Sequence, residues 1–168
     1  MAPSWNRIAH RSTGPTDSTG LAGLANLADL ADSRRILLTT YGPDAAPHRR
    51  LCRVVADGAA LGIVLGADSP EADRIRRCRG VLVQACDGGG TPTGPQWRAR
   101  ATARNAGQTV DYRIALVNKY GLAAAVALAV HRLRSGLDGT VGVRLTPAAR
   151  DWPLLGPTWR PGAAYNPN

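Results

Sequence analysis

The chain has 168 residues, is 44% hydrophobic and 20% charged, and carries a formal net charge of +9. That length suits one core of ordinary size and is cramped for two domains, and the composition is too apolar for wholesale disorder. A disulfide or zinc scaffold is excluded as well, because Cys52, Cys78 and Cys86 form no CxxC pair and His10, His48 and His131 are scattered.

Of the 21 basic residues only Lys119 is lysine, and Glu71 is the only glutamate. Arginine grips phosphate and carboxylate through a rigid fork. Usage this lopsided also fits GC-rich codons, which do not explain where the arginines cluster. The opening residues lack the basic, apolar and cleavage regions of a secretion signal. The longest apolar run, residues 122–130, falls short of the roughly 18–20 needed to span a bilayer. The expectation is a cytoplasmic protein with no membrane partner.

Residues 1–19, rich in Ser, Thr, Pro and Gly, read as a flexible arm. The domain proper covers 20–147. Its first segment, LAGLANLADLAD at 21–32, spaces Leu21, Leu24, Leu27 and Leu30 as a helical stripe. Such a helix packs over a barrel mouth or against a partner. The first strand is 35–41, a Gly42-Pro43-Asp44 turn follows, and the second strand is 47–56. Asp57-Gly58 makes a hairpin to a third strand at 60–65. Residues 69–77 form a helix capped by Asp68 or Ser69, with Pro70 in the first turn and Glu71 at the positive end. A polar helix start directly after a strand is a common phosphate site, because free N–H groups and the helix dipole converge there.

The fourth strand is 81–86, and the glycine-rich stretch 87–95 reads as a surface loop. In the fifth strand, 96–105, Trp97, Ala99, Ala101 and Ala103 alternate with Arg98, Arg100, Thr102 and Arg104, the period of a half-solvated strand. Residues 108–120 form a helix with Val110, Ile114 and Val117 on one face. A second helix covers 122–133, and 140–146 alternates Val141, Val143 and Leu145 as a sixth strand. Residues 148–168 form an extended tail with Trp152, Trp159 and Tyr165 as aromatic anchors. Six short strands with few interleaved helices predict a mainly β fold, a small barrel rather than a doubly wound sheet.

Two arginine clusters stand out: Arg49, Arg50 and Arg53 on the second strand, and Arg74, Arg76, Arg77 and Arg79 around the following helix. They read either as an anion clamp or as a solvated basic face. Charge alone also suggests nucleic acid. No helix-turn-helix, RNA-binding or zinc signature accompanies it, and only Tyr41 and Trp97 offer aromatic rings on the predicted strands. Nucleic acid is therefore not an expected partner. No Ser-His-Asp, paired-carboxylate or metal constellation supplies a catalytic site. His48 reads as a surface histidine, Cys52 as packing, and Lys119-Tyr120 as a helix terminus.

The succession of LLTT, a turn, a Pro-led strand, a D-G hairpin, a D-S-x-x-x-x-R-I-R-R helix and a strand ending in C-D resembles the pyridoxamine 5′-phosphate oxidase-like split β-barrel superfamily. Within it the nearest branch is the deazaflavin (coenzyme F420)-dependent oxidoreductases, and the later G-P-x-W strand and N-K-Y-G helix end fit that branch. The likeness covers residues 33–147. It implies a six-stranded, FMN-binding-like split barrel with flanking helices. It further implies a homodimer with coenzyme F420, or alternatively FMN, in the groove between two barrels, and hydride transfer to or from a small organic substrate. By the same resemblance Arg50 contacts the cofactor phosphate, Leu65 presents backbone to the ring, Ser69 hydrogen-bonds phosphate, and Gln96 lies beside the flavin. Arg49, Arg74 and Arg76 join them as cofactor-binding candidates. The chain departs from the pattern after Ser69, where relatives carry basic residues and this sequence has Pro70-Glu71-Ala72-Asp73. Each acid would oppose a phosphate a few ångströms away by about 1 kcal/mol. A split-barrel protein with a non-redox or carrier role in a biosynthetic pathway is the alternative reading.

Overall fold

A computed structural model describes residues 27–136 and 139–148. The N-terminal arm, Leu21 and Leu24 of the first helix, and the tail aromatics Trp152, Trp159 and Tyr165 lie outside the described residues. The elements in chain order are α1 (helical residues 27–32), β1 (Arg35–Tyr41), β2 (Pro47–Cys52), β3 (Val55–Asp57), β4 (Ala60–Gly66), α2 (Pro70–Arg77), β5 (Gly80–Cys86), β6 (Pro92–Ala103), α3 (Ala106–Tyr120), α4 (Leu122–Ser135) and β7 (Thr140–Pro147). Every strand pairing is antiparallel, in the order β2-β1-β5-β6-β7-β4-β3.

That order explains the shape. β2 and β3 lie at opposite ends of the sheet, yet only Arg53 and Val54 separate them in the chain. The sheet must therefore curl until its two ends meet, closed by covalent chain rather than by a ladder. The result is a split β-barrel of seven strands, not six. The expected second strand, 47–56, is two strands: 47–52 pairs with β1 and 55–57 with β4, and Arg53 and Val54 between them pair with neither. Two further corrections are local. The hairpin turn is Gly58-Ala59, with Asp57 still paired to Ala60 and Gly58 at φ +59°. Glycine suits the first position of such a turn. The stretch 87–95 is only half loop: β6 starts at Pro92, opposite Cys86, past a register shift after Gln84. The Asp87 carboxylate accepts from the Gly89 and Thr91 amides at 2.9 Å each, bonds that hold its pKa below the usual carboxylate range.

Alternation fills the barrel. Ile36, Leu38, Leu61, Ile63, Val81, Val83, Ala101, Val143 and Leu145 point inward and are fully buried, and Leu27 and Leu30 of α1 join the same core. The leucine stripe thus covers the barrel at those two positions. Trp97 packs against the core, as the alternation predicts.

The face α3 turns inward is not the one its valines suggest. Thr109, Tyr112 and Leu116 are buried, whereas Val110 and Ile114 are exposed. The reason lies in the sheet. A Cβ at Gly62 or Gly142 would stand 2.9 or 3.0 Å from the Tyr112 ring, so two glycines make the hollow that seats it. The Gly142 amide donates to Thr109 Oγ1 at 3.0 Å, and the Tyr112 hydroxyl donates to Asp57, which also pairs with Arg144 at 3.3 Å. Burial, then the Asp57 hydrogen bond and charge, push the Tyr112 pKa up to about 12.

At the seam Val54 has no strand partner among the described residues, so its polar backbone needs other company. The Tyr120 hydroxyl accepts from the Val54 amide at 3.1 Å and donates to its carbonyl at 2.9 Å. Lys119 Nζ donates to the Val54 carbonyl and the Ser33 carbonyl at 3.0 Å, and to that of Ala31. The Lys119-Tyr120 helix end is a structural clasp joining α1, the seam and α3. No helix among the described residues is long and apolar enough to cross a membrane.

Candidate functional site

The split leaves a cleft of about 300 Å³ between β2, β4 and the helices α3 and α4. Leu51, Val64, Leu116, Ala124 and Leu128 contribute apolar wall, and Arg35, Arg50 and Arg53 give it a cationic rim. Its volume is at the small end for a ligand pocket. β3 covers β4 only as far as Gly62. Residues 63–66 therefore have β7 on one side and no partner strand on the other among the described residues. Leu65 is buried in the core, so what residues 65–66 show the cleft is backbone edge. Hydrogen-bonding groups beside the apolar wall of a mixed cleft suit a flat heteroaromatic ligand.

Arg53 reaches this rim because the chain kinks at the seam, and its guanidinium stands over the Tyr120 ring, 5.8 Å from the centroid. Such stacking holds the fork in place without using its donors. Among the described residues neither Arg35 nor Arg53 pairs with a carboxylate. Cys52 also lines the cleft, but burial lifts its pKa from 9.0 to about 12, so it carries no thiolate near neutral pH.

Beside the cleft, Glu71 is held by two arginines. Arg50 Nη1 donates to its Oε2 at 2.9 Å and Arg74 Nη2 to its Oε1 at 3.2 Å. Arg74 is fixed independently, its Nε donating to Thr40 Oγ1 at 2.8 Å. The Glu71 side chain is only 12% exposed. Farther out, Arg76 pairs with Asp73 and donates to the Ala67 carbonyl at 2.6 Å.

The seven residues expected to bind cofactor therefore separate. Arg50 and Leu65 meet in the cleft, and Arg74 joins Arg50 through Glu71. Ser69 is the N-cap of α2, its hydroxyl accepting from the Ala72 amide at 3.3 Å. Arg76 lies on the exposed side of α2. Arg49 pairs with Thr39, which pairs with Leu82, which pairs with Arg98, a row on the sheet face opposite Arg50; Gln96 shares that face. Arg35 and α4 were missed by sequence reasoning, because neither carries a motif and only curling of the sheet brings them to β4.

These residues fit part of a flavin-like group. Apolar walls and an open backbone edge suit the ring, and Arg35 and Arg53 can receive an anionic arm. The start of α2 does not fit a phosphate, since Glu71 already sits between Arg50 and Arg74.

Comparison with solved structures agrees with the fold. A Listeria innocua protein provisionally named a pyridoxamine 5′-phosphate oxidase superposes with a TM-score of 0.53 at 19% identity, over 76% of this chain and 94% of its own. An F420 reductase gives 0.50 at 15% identity, over 72% and 92%. The heme storage protein HutZ of Vibrio cholerae gives 0.54 at 12%, over 74% and 89%. The fold is the pyridoxamine 5′-phosphate oxidase-like split barrel. At these identities the likeness is one of fold. No protein-family model matches the sequence, and no curated protein matches it.

Proposed function

We propose that this split barrel is a flavin- or deazaflavin-dependent oxidoreductase acting on a small organic molecule, with coenzyme F420 as first candidate and FMN as second. The observation that carries the reading is the edge of β4 beyond Gly62, which no strand pairs among the described residues and whose residues 64–66 line a cleft rimmed by Arg35, Arg50 and Arg53. When bound, the cofactor supplies the hydride chemistry. The chain's own part is to hold the ring edge on the β4 backbone, exclude water with Leu51, Val64 and Leu128, and draw an anionic arm to Arg53 and Arg35. In this reading the protein works in the cytoplasm as a homodimer. Exposed Val110, Ile114, Leu122, Val126 and Val130 on α3 and α4, with Leu122 84% exposed, offer apolar surface for a second copy.

Titration of the purified full-length protein with coenzyme F420 and with FMN, followed by fluorescence quenching, tests the proposal. Saturable binding of one of them is expected. Arg53→Gln should weaken it by about 1.5–3 kcal/mol, the range for a charged hydrogen bond. Absence of binding by either, in a folded protein, would sink the redox reading. The second reading, a carrier or non-redox role, then takes its place; what favours it is the carboxylate already seated between Arg50 and Arg74.

A further inference from the structure

We infer that Arg50 and Arg74 form an anion site which Glu71 fills from within the chain, so that a ligand phosphate is refused at this corner of the cleft. The inference deepens the reading above and rests on it only for which ligand enters; the arginine site stands on its own geometry.

Three features distinguish this carboxylate from an ordinary helix-surface acid. Both of its oxygens are engaged, each by a different guanidinium, at 2.9 and 3.2 Å. One of those arginines lies on β2 and the other on α2, so Glu71 bridges two elements rather than decorating one. Arg74 is only 15% exposed and bonded to buried Thr40, so its fork keeps its orientation whether or not Glu71 is charged. A preset pair of guanidinium groups converging on one small oxyanion is what phosphate recognition requires, and carboxylate and phosphate oxygens satisfy the fork in the same way. Arg50 is half exposed, which leaves the site a solvent-facing side by which an ion could enter.

With Glu71 in place, two cations share one internal anion. A phosphate approaching Arg50 from the cleft meets a guanidinium whose charge Glu71 already shares. A phosphate-bearing cofactor in this cleft must therefore direct its phosphate elsewhere, toward Arg53 and Arg35 at the other rim. Glu71 in this view is a specificity residue for the anionic part of the ligand.

The test uses inorganic phosphate as probe, on the full-length protein in phosphate-free buffer, by calorimetric titration. Glu71→Gln keeps the side-chain volume and removes the charge. It should bind phosphate at least about tenfold more tightly than wild type, since one repulsive charge goes and two donors' counter-charge is freed. Adding Arg50→Gln to that variant should abolish the gain. Equal phosphate affinity in wild type and Glu71→Gln overturns the inference, as does a gain that survives Arg50→Gln. Should Glu71→Gln lose its fold in phosphate-free buffer, phosphate is expected to restore it, and a chain that stays unfolded at saturating phosphate also overturns the inference. Because the probe is phosphate rather than a flavin, failure here and failure of the oxidoreductase reading are separate results.

Discussion

Two polar clusters flank the two-residue seam between β2 and β3, and they do opposite work with similar chemistry. On one side Lys119 and Tyr120 reach from the end of α3 and satisfy backbone groups that no strand can pair: the Val54 amide and carbonyl and the Ser33 carbonyl. On the other side Arg50 and Arg74 converge on a side chain, Glu71, next to a cleft. The first cluster meets a cost that the fold itself creates, since curling the sheet orphans Val54. The second meets no backbone need. It gathers charge at the mouth of a pocket, which is what a binding site requires and a barrel does not. Stability should therefore reside in the first cluster and ligand selectivity in the second.

Removing one hydroxyl puts that division at its greatest risk. Tyr120→Phe leaves the Val54 amide buried without a partner, a loss of about 1–3 kcal/mol. Denaturant melts should show a lower midpoint by that amount. The ring that carries Arg53 is retained, so affinity for the cleft ligand should hardly move. A variant that stays stable but loses its ligand would mean that the clasp belongs to the site.

Much of this architecture could be read from the chain, and the parts that could not share a physical cause. Trp97, Ala99 and Ala101 alternate with arginines, so β6 and its inward face were plain. Ser69 and Pro70 marked the start of α2 because caps are local. The break at Arg53–Val54 was hidden, since Leu-Cys-Arg-Val-Val is good strand sequence without glycine or proline, and only closure of the sheet requires a break there. The buried face of α3 was hidden in the same way. Val110, Ile114 and Val117 form a fair apolar stripe, but the hollow over Gly62 and Gly142 lies in two other strands and accepts Tyr112 instead. At the site, Arg50 and Leu65 were named through the family resemblance, and both line the cleft. The seat of Glu71 between Arg50 and Arg74 joins residues 21 positions apart, so the acid could be seen but its partner could not.

Raising the pH probes the packing around the clusters more gently. Cys52 in the core and Tyr112 over its glycines both have raised pKa values, from 9.0 and 10.0 respectively to about 12. Both groups are neutral in the fold, so the unfolded chain gives up these protons first as pH rises. Stability from them is full below pH 9.0 and is lost as pH climbs toward about 12. Tyr112→Phe should cost about 0.5–1.5 kcal/mol at neutral pH, the worth of its bond to Asp57. It should also flatten the part of the alkaline decline that begins at pH 10.0. An unchanged profile would place the titrating group elsewhere. The guanidinium groups around Glu71 keep their charge throughout this range, so the anion site should be indifferent to it.

The smallest effect belongs to the other acid of α2, and it isolates what is particular about Glu71. Asp73 also pairs with an arginine, Arg76, three residues on, but both side chains are 53% exposed, against 12% for Glu71. A pair of this kind is screened by water and salt, and measured examples cluster below about 0.5 kcal/mol. Asp73→Asn should thus shift the unfolding midpoint barely, and by less still at high salt. It should also leave phosphate affinity at the wild-type level, because the Arg76 fork is turned to the Ala67 carbonyl and not to the cleft. If neutralising Asp73 opened phosphate binding as neutralising Glu71 is expected to, net charge on α2 would govern the site and burial between two preset arginines would not. The two acids lie two residues apart in one helix, so the pair of variants holds sequence context nearly constant. Geometry is then what differs between them: bridging of β2 and α2 in one case, a solvated turn of helix in the other.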